Sequence, residues 1–129
     1  MLLKYKNYIK KTKSIDDLIE STRRLFIANR DFDPIFSKYE INYFVDYPYP
    51  DLSITTSEGK KFIFNYPKLF RATREFSTAH ELCHLILYHQ ENNVPKDIAE
   101  VEADYFASRL TGHSKIKLIT LGILETIIL

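Results

Sequence analysis

The sequence predicts an α+β fold in which a small, roughly three-stranded sheet packs on a histidine-bearing helix, with an N-terminal amphipathic helix and a second, acidic helix beside it. Three observations carry this. Apolar residues recur at helical spacing over residues 15–26 and 76–86, and short β-rich runs divided by turn residues occupy 41–66. The block His80-Glu81-Leu82-Cys83-His84 lies inside a helical stretch, 71–90, that contains neither Gly nor Pro. At 129 residues the chain suits a single domain, 1–129, with a genuine core.

Taken in order, the five lysines and two tyrosines of residues 1–13 read as a solvated helix face or a frayed terminus. Ser14 followed by Asp17 resembles a helix start. Ile15, Leu18, Ile19, Thr22, Leu25 and Phe26 then mark an amphipathic helix to about Asn29, closed by Asp31-Phe32-Asp33-Pro34. The strands expected next are Ile41–Val45, Leu52–Thr56 and Lys61–Tyr66, divided by Pro48, Pro50 and Glu58-Gly59. Most rings of the aromatic stretch Tyr43–Tyr49 are expected in the core. Pro95 stands where a later helix can begin, Ile98–Leu110 forms that helix, and Gly112 stops it. The final Ile116–Leu129 is mostly Leu and Ile and suits a buried helix or strand; left exposed, it would offer a homodimer surface.

Composition narrows the function. A net charge of +1 makes no case for direct nucleic-acid binding. The single Cys83 forms no internal disulfide, and the start lacks a signal-peptide core and the chain a membrane span, so a cytoplasmic setting is expected.

The chemistry is concentrated in the H-E-x-x-H block. Residues four apart on a helix are rotated by about 400°, which places His80 and His84 one turn apart on the same face. Both imidazoles can then reach one tetrahedral cation, while Glu81, turned about 100° away, can contact a water on it as general base. Zn²⁺ is the expected ion, although two imidazoles and a carboxylate also accept iron or manganese. A third ligand comes from Glu100, Glu102 or Asp104. Glu100 and Glu102 lie about 200° apart, so only one can face the metal. Glu100 shares its face with Ala103 and Ala107, which permit close helix packing, whereas Glu102 sits with Phe106 and Arg109. Glu100 is therefore chosen as ligand, and Asp104 is suited to hold the second ring N–H of a ligand histidine.

The stretch Arg74–His84, followed by Glu100-Val101-Glu102-Ala103-Asp104-Tyr105-Phe106-Ala107, resembles the ImmA/IrrE family of metallopeptidases. That family pairs an R-x-F-T-x-A-H-E-x-x-H helix with a later E-x-E-A-(N/D)-x-F-A helix. The resemblance implies a zincin-like α+β fold, with zinc on His80, His84 and Glu100, Glu81 as base and Asp104 behind a ligand. It also implies a protein substrate of the helix-turn-helix transcriptional repressor class, cleaved by an anti-repressor of a mobile element. Two features depart from the family pattern. Cys83 replaces the usual Gly and is expected to be a buried structural residue, and Arg109-Leu110-Thr111-Gly112-His113 replaces an L-L-M-P-like run.

The expected activity is a zinc-dependent endopeptidase that takes an extended substrate along an edge strand near Leu52–Tyr66. Tyr66, Arg74, Tyr88, His89 and His113 are candidates to stabilise the charge that develops on the scissile carbonyl. The alternative is a non-catalytic metal-binding regulator that inhibits a partner repressor by occupying it.

Overall fold

No Gly or Pro interrupts residues 2–27, and they form one helix, α1 (Leu2–Ile27). Ser14 is thus an interior position, not the expected helix start, because a mid-helix serine costs only about 0.5 kcal/mol relative to alanine. The computed structural model describes residues 2–46, 48 and 50–120, with side chains from residue 15 onward. Ile15, Ile19, Thr22 and Phe26 form the buried stripe of α1.

Asp31-Phe32-Asp33-Pro34 does close α1, but it also opens a helix missing from the sequence reading, α2 (Asp33–Tyr39). The Asp33 N–H donates to Asp31 Oδ1 (3.0 Å), and proline is tolerated in a first turn, where no intrahelical donor is needed. Glu40, at φ 54°, ends α2 and turns the chain straight into the sheet.

Strands β1 (Ile41–Phe44), β2 (Leu52–Thr55) and β3 (Lys61–Phe64) match the three expected, trimmed at their C-terminal ends. Their order is β1-β3-β2, with β3 parallel to β1 and antiparallel to β2. Since β3 is paired on both sides, only β2 of the 52–66 region offers an edge, which corrects the substrate lane proposed for that whole stretch. Side chains alternate along a strand, so Ser53 and Thr55 share one face with Ile63 and Tyr43, and Leu52 and Ile54 share the other with Phe62, Phe64 and Phe44. Phe44, Phe62 and Phe64 stack on this second face with centroids 5.5–6.4 Å apart. Phe44 is 49% exposed, so the expectation of core burial fails there. Tyr43 does pack inward, on Phe36 at 4.9 Å, while Tyr47 and Tyr49 lie outside the described residues.

Two longer helices complete the core, α3 (Arg71–Ile86) and α4 (Lys96–Thr111). α3 is buried along most of its surface, between α4 and the inner face of the sheet. Its first turn, with Arg71 exposed, and the partly buried stripe Ser77, His80 and His84 are the exceptions. On α4, Ala99, Ala103 and Ala107 are buried at a spacing of four, the small-residue ridge that lets it approach α3. Gly112 ends α4 in the left-handed conformation (φ 78°), as its position predicts. α5 (Lys115–Thr120) follows; Leu118 is buried but Ile116 is 77% exposed, so the start of the apolar tail is one-sided, not fully buried. The remainder of that tail, 121–129, with any dimer surface it offers, lies outside the described residues. Among the described residues no helix is long and apolar enough to cross a membrane.

A polar strut ties the helix ends together. Arg30 donates to Glu75 Oε1 (2.8 Å) and to the Thr111 carbonyl at the end of α4 (2.8 Å), and His113 Nε2 meets Glu75 Oε1 at 2.7 Å.

Replacing the fully buried ring of Phe106 with Ala should lower stability by about 3–5 kcal/mol. Val101→Ala on the exposed side of the same helix should cost within about 0.5 kcal/mol. Urea unfolding of the two variants beside the parent chain checks the contrast.

Candidate active site

The helical repeat places His80 and His84 one turn apart on α3, and the alanine ridge brings Glu100 of α4 to meet them. His80 Nε2 and His84 Nε2 are 3.1 Å apart. Glu100 Oε2 lies 3.0 Å from the first, and Glu100 Oε1 lies 3.3 Å from the second. Tetrahedral zinc with ligand distances of roughly 2.0–2.1 Å separates its donor atoms by roughly 3.3–3.4 Å, so the triangle fits such an ion with little movement. Among the described residues these three form the group able to hold a metal.

The hydrogen bonds behind the ligands support the same reading. His80 Nδ1–H donates to Asp104 Oδ1 (2.8 Å), which leaves the Nε2 lone pair aimed at the triangle. His84 Nδ1 is engaged by His89 Nδ1 at 2.8 Å. Two ring nitrogens and a carboxylate aimed at one point repel each other unless positive charge lies between them. Without metal, that charge is a proton. Burial opposes a charge on His80, but the hydrogen bonds to Asp104 and Glu100 outweigh it and raise its pKa to about 9. Burial and the charge of His80 lower His84 to about 4. Glu100 is held below the usual carboxylate range by its hydrogen bond from His80.

Glu81 points away from the triangle toward β2, where Ser53 Oγ donates to its Oε1 (2.8 Å). Burial raises its pKa to about 7, partly offset by the His80 charge and the Ser53 hydroxyl. Asp51 lies just before β2, accepts from the Tyr66 N–H (2.6 Å) and from Ser77 Oγ on α3, and is raised chiefly by burial. Two open clefts of about 520 Å³ each flank Glu81 and Glu100. Ser77, Asp104 and Lys115 line the first; Ser53, Gln90 and Val94 line the second; Asp51 and Lys96 line both. A larger hollow of about 980 Å³ lies elsewhere, by Asp33, Glu40 and Gly59, and does not include the triad.

The structure therefore brings together His80, Glu81, His84, Glu100 and Asp104. Asp104 is also bound by Lys115 of α5 (2.9 Å). Glu102 is buried against His89 rather than directed at the triangle. Cys83 is fully buried and its thiol is pushed well above its ordinary pKa by burial, which matches a structural role.

The oxyanion candidates fare worse. Arg74 donates to the Pro67 carbonyl (2.7 Å), Tyr88 carries Lys61 over its ring (5.3 Å), His89 sits behind His84, and His113 belongs to the Glu75 strut. Tyr66 meets the site through its backbone N–H on Asp51. Ser53, Asp51 and Gln90 were not foreseen. The visible signal was the polar half of β2: Ser53 and Thr55 alternate with Leu52 and Ile54, and a sheet with an apolar inner face would turn them out to solvent. Ser53 points inward here because Glu81 of α3 accepts its hydroxyl, whereas the Thr55 hydroxyl is buried with no partner.

A model of the IrrE N-terminal-like domain, a peptidase family, matches residues 40–111, which include all three strands, α3 and α4. No curated protein and no solved structure matches the chain significantly.

The proton on His80 makes a signed prediction for metal-free protein. Its folded pKa of about 9 exceeds the ordinary value of 6.5, so its stabilising contribution is complete below pH ~6.5 and lost as pH rises through about 9. Glu81, raised from 4.5 to about 7, acts with the same sign in a lower window. The melting temperature of metal-free protein should fall between pH 6.5 and 9.5, and His80→Gln should flatten the upper part of that slope.

Proposed function

The chain belongs to the IrrE N-terminal-like, or ImmA/IrrE, family of peptidases, and from that premise we propose that it is a zinc-dependent endopeptidase with a zincin-like core. The observation that carries the proposal is the convergence of His80, His84 and Glu100 on one point, with Glu81 beside it in an open cleft. When bound there, zinc supplies Lewis acidity, polarising a carbonyl and lowering the pKa of a water towards about 7.

The chain's own residues supply the rest. Glu81, with a pKa near neutrality, accepts a proton from the attacking water and returns it to the leaving amine. Ser53 holds the carboxylate through its Oε1. Lys96, which lines both clefts, contributes positive charge toward the carbonyl oxygen.

The peptide lane is the free edge of β2. Gln90 already occupies it at Thr55, where its amide donates to the Thr55 carbonyl (3.2 Å) and accepts from the Thr55 N–H (3.4 Å). Edge-facing backbone groups repeat every second residue, so those of Ser53 point the same way and are available to an extended substrate beside Glu81. A helix-turn-helix repressor or similar regulatory protein is the substrate class we propose, on the strength of the family resemblance.

The test joins metal content to cleavage. Purified protein supplied with zinc should hold about one ion per chain, Glu100→Ala should lose it, and Glu81→Gln should keep it while losing cleavage of a co-expressed repressor. A wild-type protein that takes up no zinc would sink the peptidase reading. Loss of repressor activity without a shortened repressor, unchanged in Glu81→Gln, would favour inhibition by binding.

A further inference from the structure

His89 is buried to 5% exposure, yet it carries two polar ring atoms that no core position needs. Its Nδ1 lies 2.8 Å from His84 Nδ1, the nitrogen turned away from the triangle, so His89 stands behind a ligand and is not a fourth one. Its Nε2 lies 3.5 Å from Glu102 Oε1, on a side chain as buried as its own. Both of these atoms lack any hydrogen-bond partner, and each is the other's neighbour at 3.5 Å.

One arrangement of protons satisfies the whole chain of contacts. If His84 Nε2 is to offer a lone pair to a metal, its proton must be on Nδ1, and that N–H needs an acceptor. His89 Nδ1 is the atom it meets, so His89 must carry its own proton on Nε2. That N–H then lies 3.5 Å from Glu102 Oε1, near enough that a small rotation of either side chain would pair the two orphaned atoms. We infer that His89 and Glu102 are positioning residues that hold His84 as a metal ligand, an imidazole and a carboxylate in series behind it. The inference rests on the metal-site reading above.

The backbone is built to present His89 in this place. α3 stops at Ile86, and Tyr88 adopts φ 53°, a conformation costly for a residue with a side chain. The turn is tied down on both sides of the imidazole: the His89 N–H donates to the His84 carbonyl (3.1 Å), and the Val94 N–H donates to the His89 carbonyl (3.1 Å). Glu102 explains its own burial in the same way. It lies on the α4 face that carries Phe106, and its partner there is an imidazole from the α3 exit turn. His80 and His84 are thus supported by different devices, a direct carboxylate from Asp104 and an imidazole–carboxylate pair from His89 and Glu102.

The test is zinc affinity by competition with a chromophoric chelator, together with the visible spectrum of the cobalt-substituted protein, in full-length chains. His89→Leu should weaken zinc binding roughly 10–100-fold and alter the cobalt bands, whereas His89→Asn, whose carbonyl oxygen can replace Nδ1 as acceptor, should recover most of the affinity. Glu102→Leu, which leaves His89 Nε2–H no carboxylate, should weaken binding in the wild-type background and add nothing in the His89→Leu background, because it acts through His89. Wild-type affinity and spectrum in a folded His89→Leu chain would overturn the proposal while leaving the metal site standing. An undiminished effect of Glu102→Leu in the His89→Leu background would overturn the serial arrangement. Should His89→Leu fail to fold, an unweakened Glu102→Leu chain would likewise overturn it. A wild-type chain that binds neither zinc nor cobalt would remove the metal reading itself and this inference with it.

Discussion

Everything at the site depends on one electrostatic constraint: two imidazole nitrogens and a carboxylate share a point at separations of 3.0–3.3 Å. Such a cluster is repulsive until a cation occupies it, and its geometry survives only if each donor is held from outside. α3 contributes two donors by its periodicity, and α4 contributes the third because Ala99, Ala103 and Ala107 allow the two helices to pack closely. The strut of Arg30, Glu75 and His113 fixes the opposite end of the same helix pair. Site and core are thus stabilised by the same interface.

Glu81 shows how the fold assigns different roles to neighbouring residues. It sits one position from His80, yet helix geometry turns it toward β2 and into a buried setting beside Ser53. Burial raises its carboxyl toward neutrality, whereas Glu100, more exposed and bonded to His80, is pushed down. One acid is suited to exchange protons and the other to stay charged, a separation set by surroundings because the two side chains are chemically identical.

The sheet serves the site as much as the core. Its inner face carries Ser53 and Thr55 toward α3, and its outer face carries stacked phenylalanines. This reverses the usual polarity of a half-buried strand and makes β2 a wall of the cleft. Gln90 covers the edge at Thr55, so the remaining open backbone lies next to the proposed base.

By itself the sequence determined the local features: the helix that bears His80, Glu81 and His84, the three strands to within two residues, the stop at Gly112, and Glu100 as the acid on the facing side of its helix. These follow from short-range rules of rotation, alternation and turn chemistry, which residues within a few positions of each other can satisfy. α2 escaped because Pro34 signals both an end and a beginning, and the extent of α1 escaped because one apparent capping serine cannot break a helix. Only the tertiary structure decided the roles of Ser53, Asp51, His89 and Glu102. Each acts on a partner 5 to 28 positions away in sequence, and even the nearest pair, His84 and His89, meets only through a left-handed turn that no local propensity favours. Rotation about one helix axis could say which acids face which way; what they would face was set by packing.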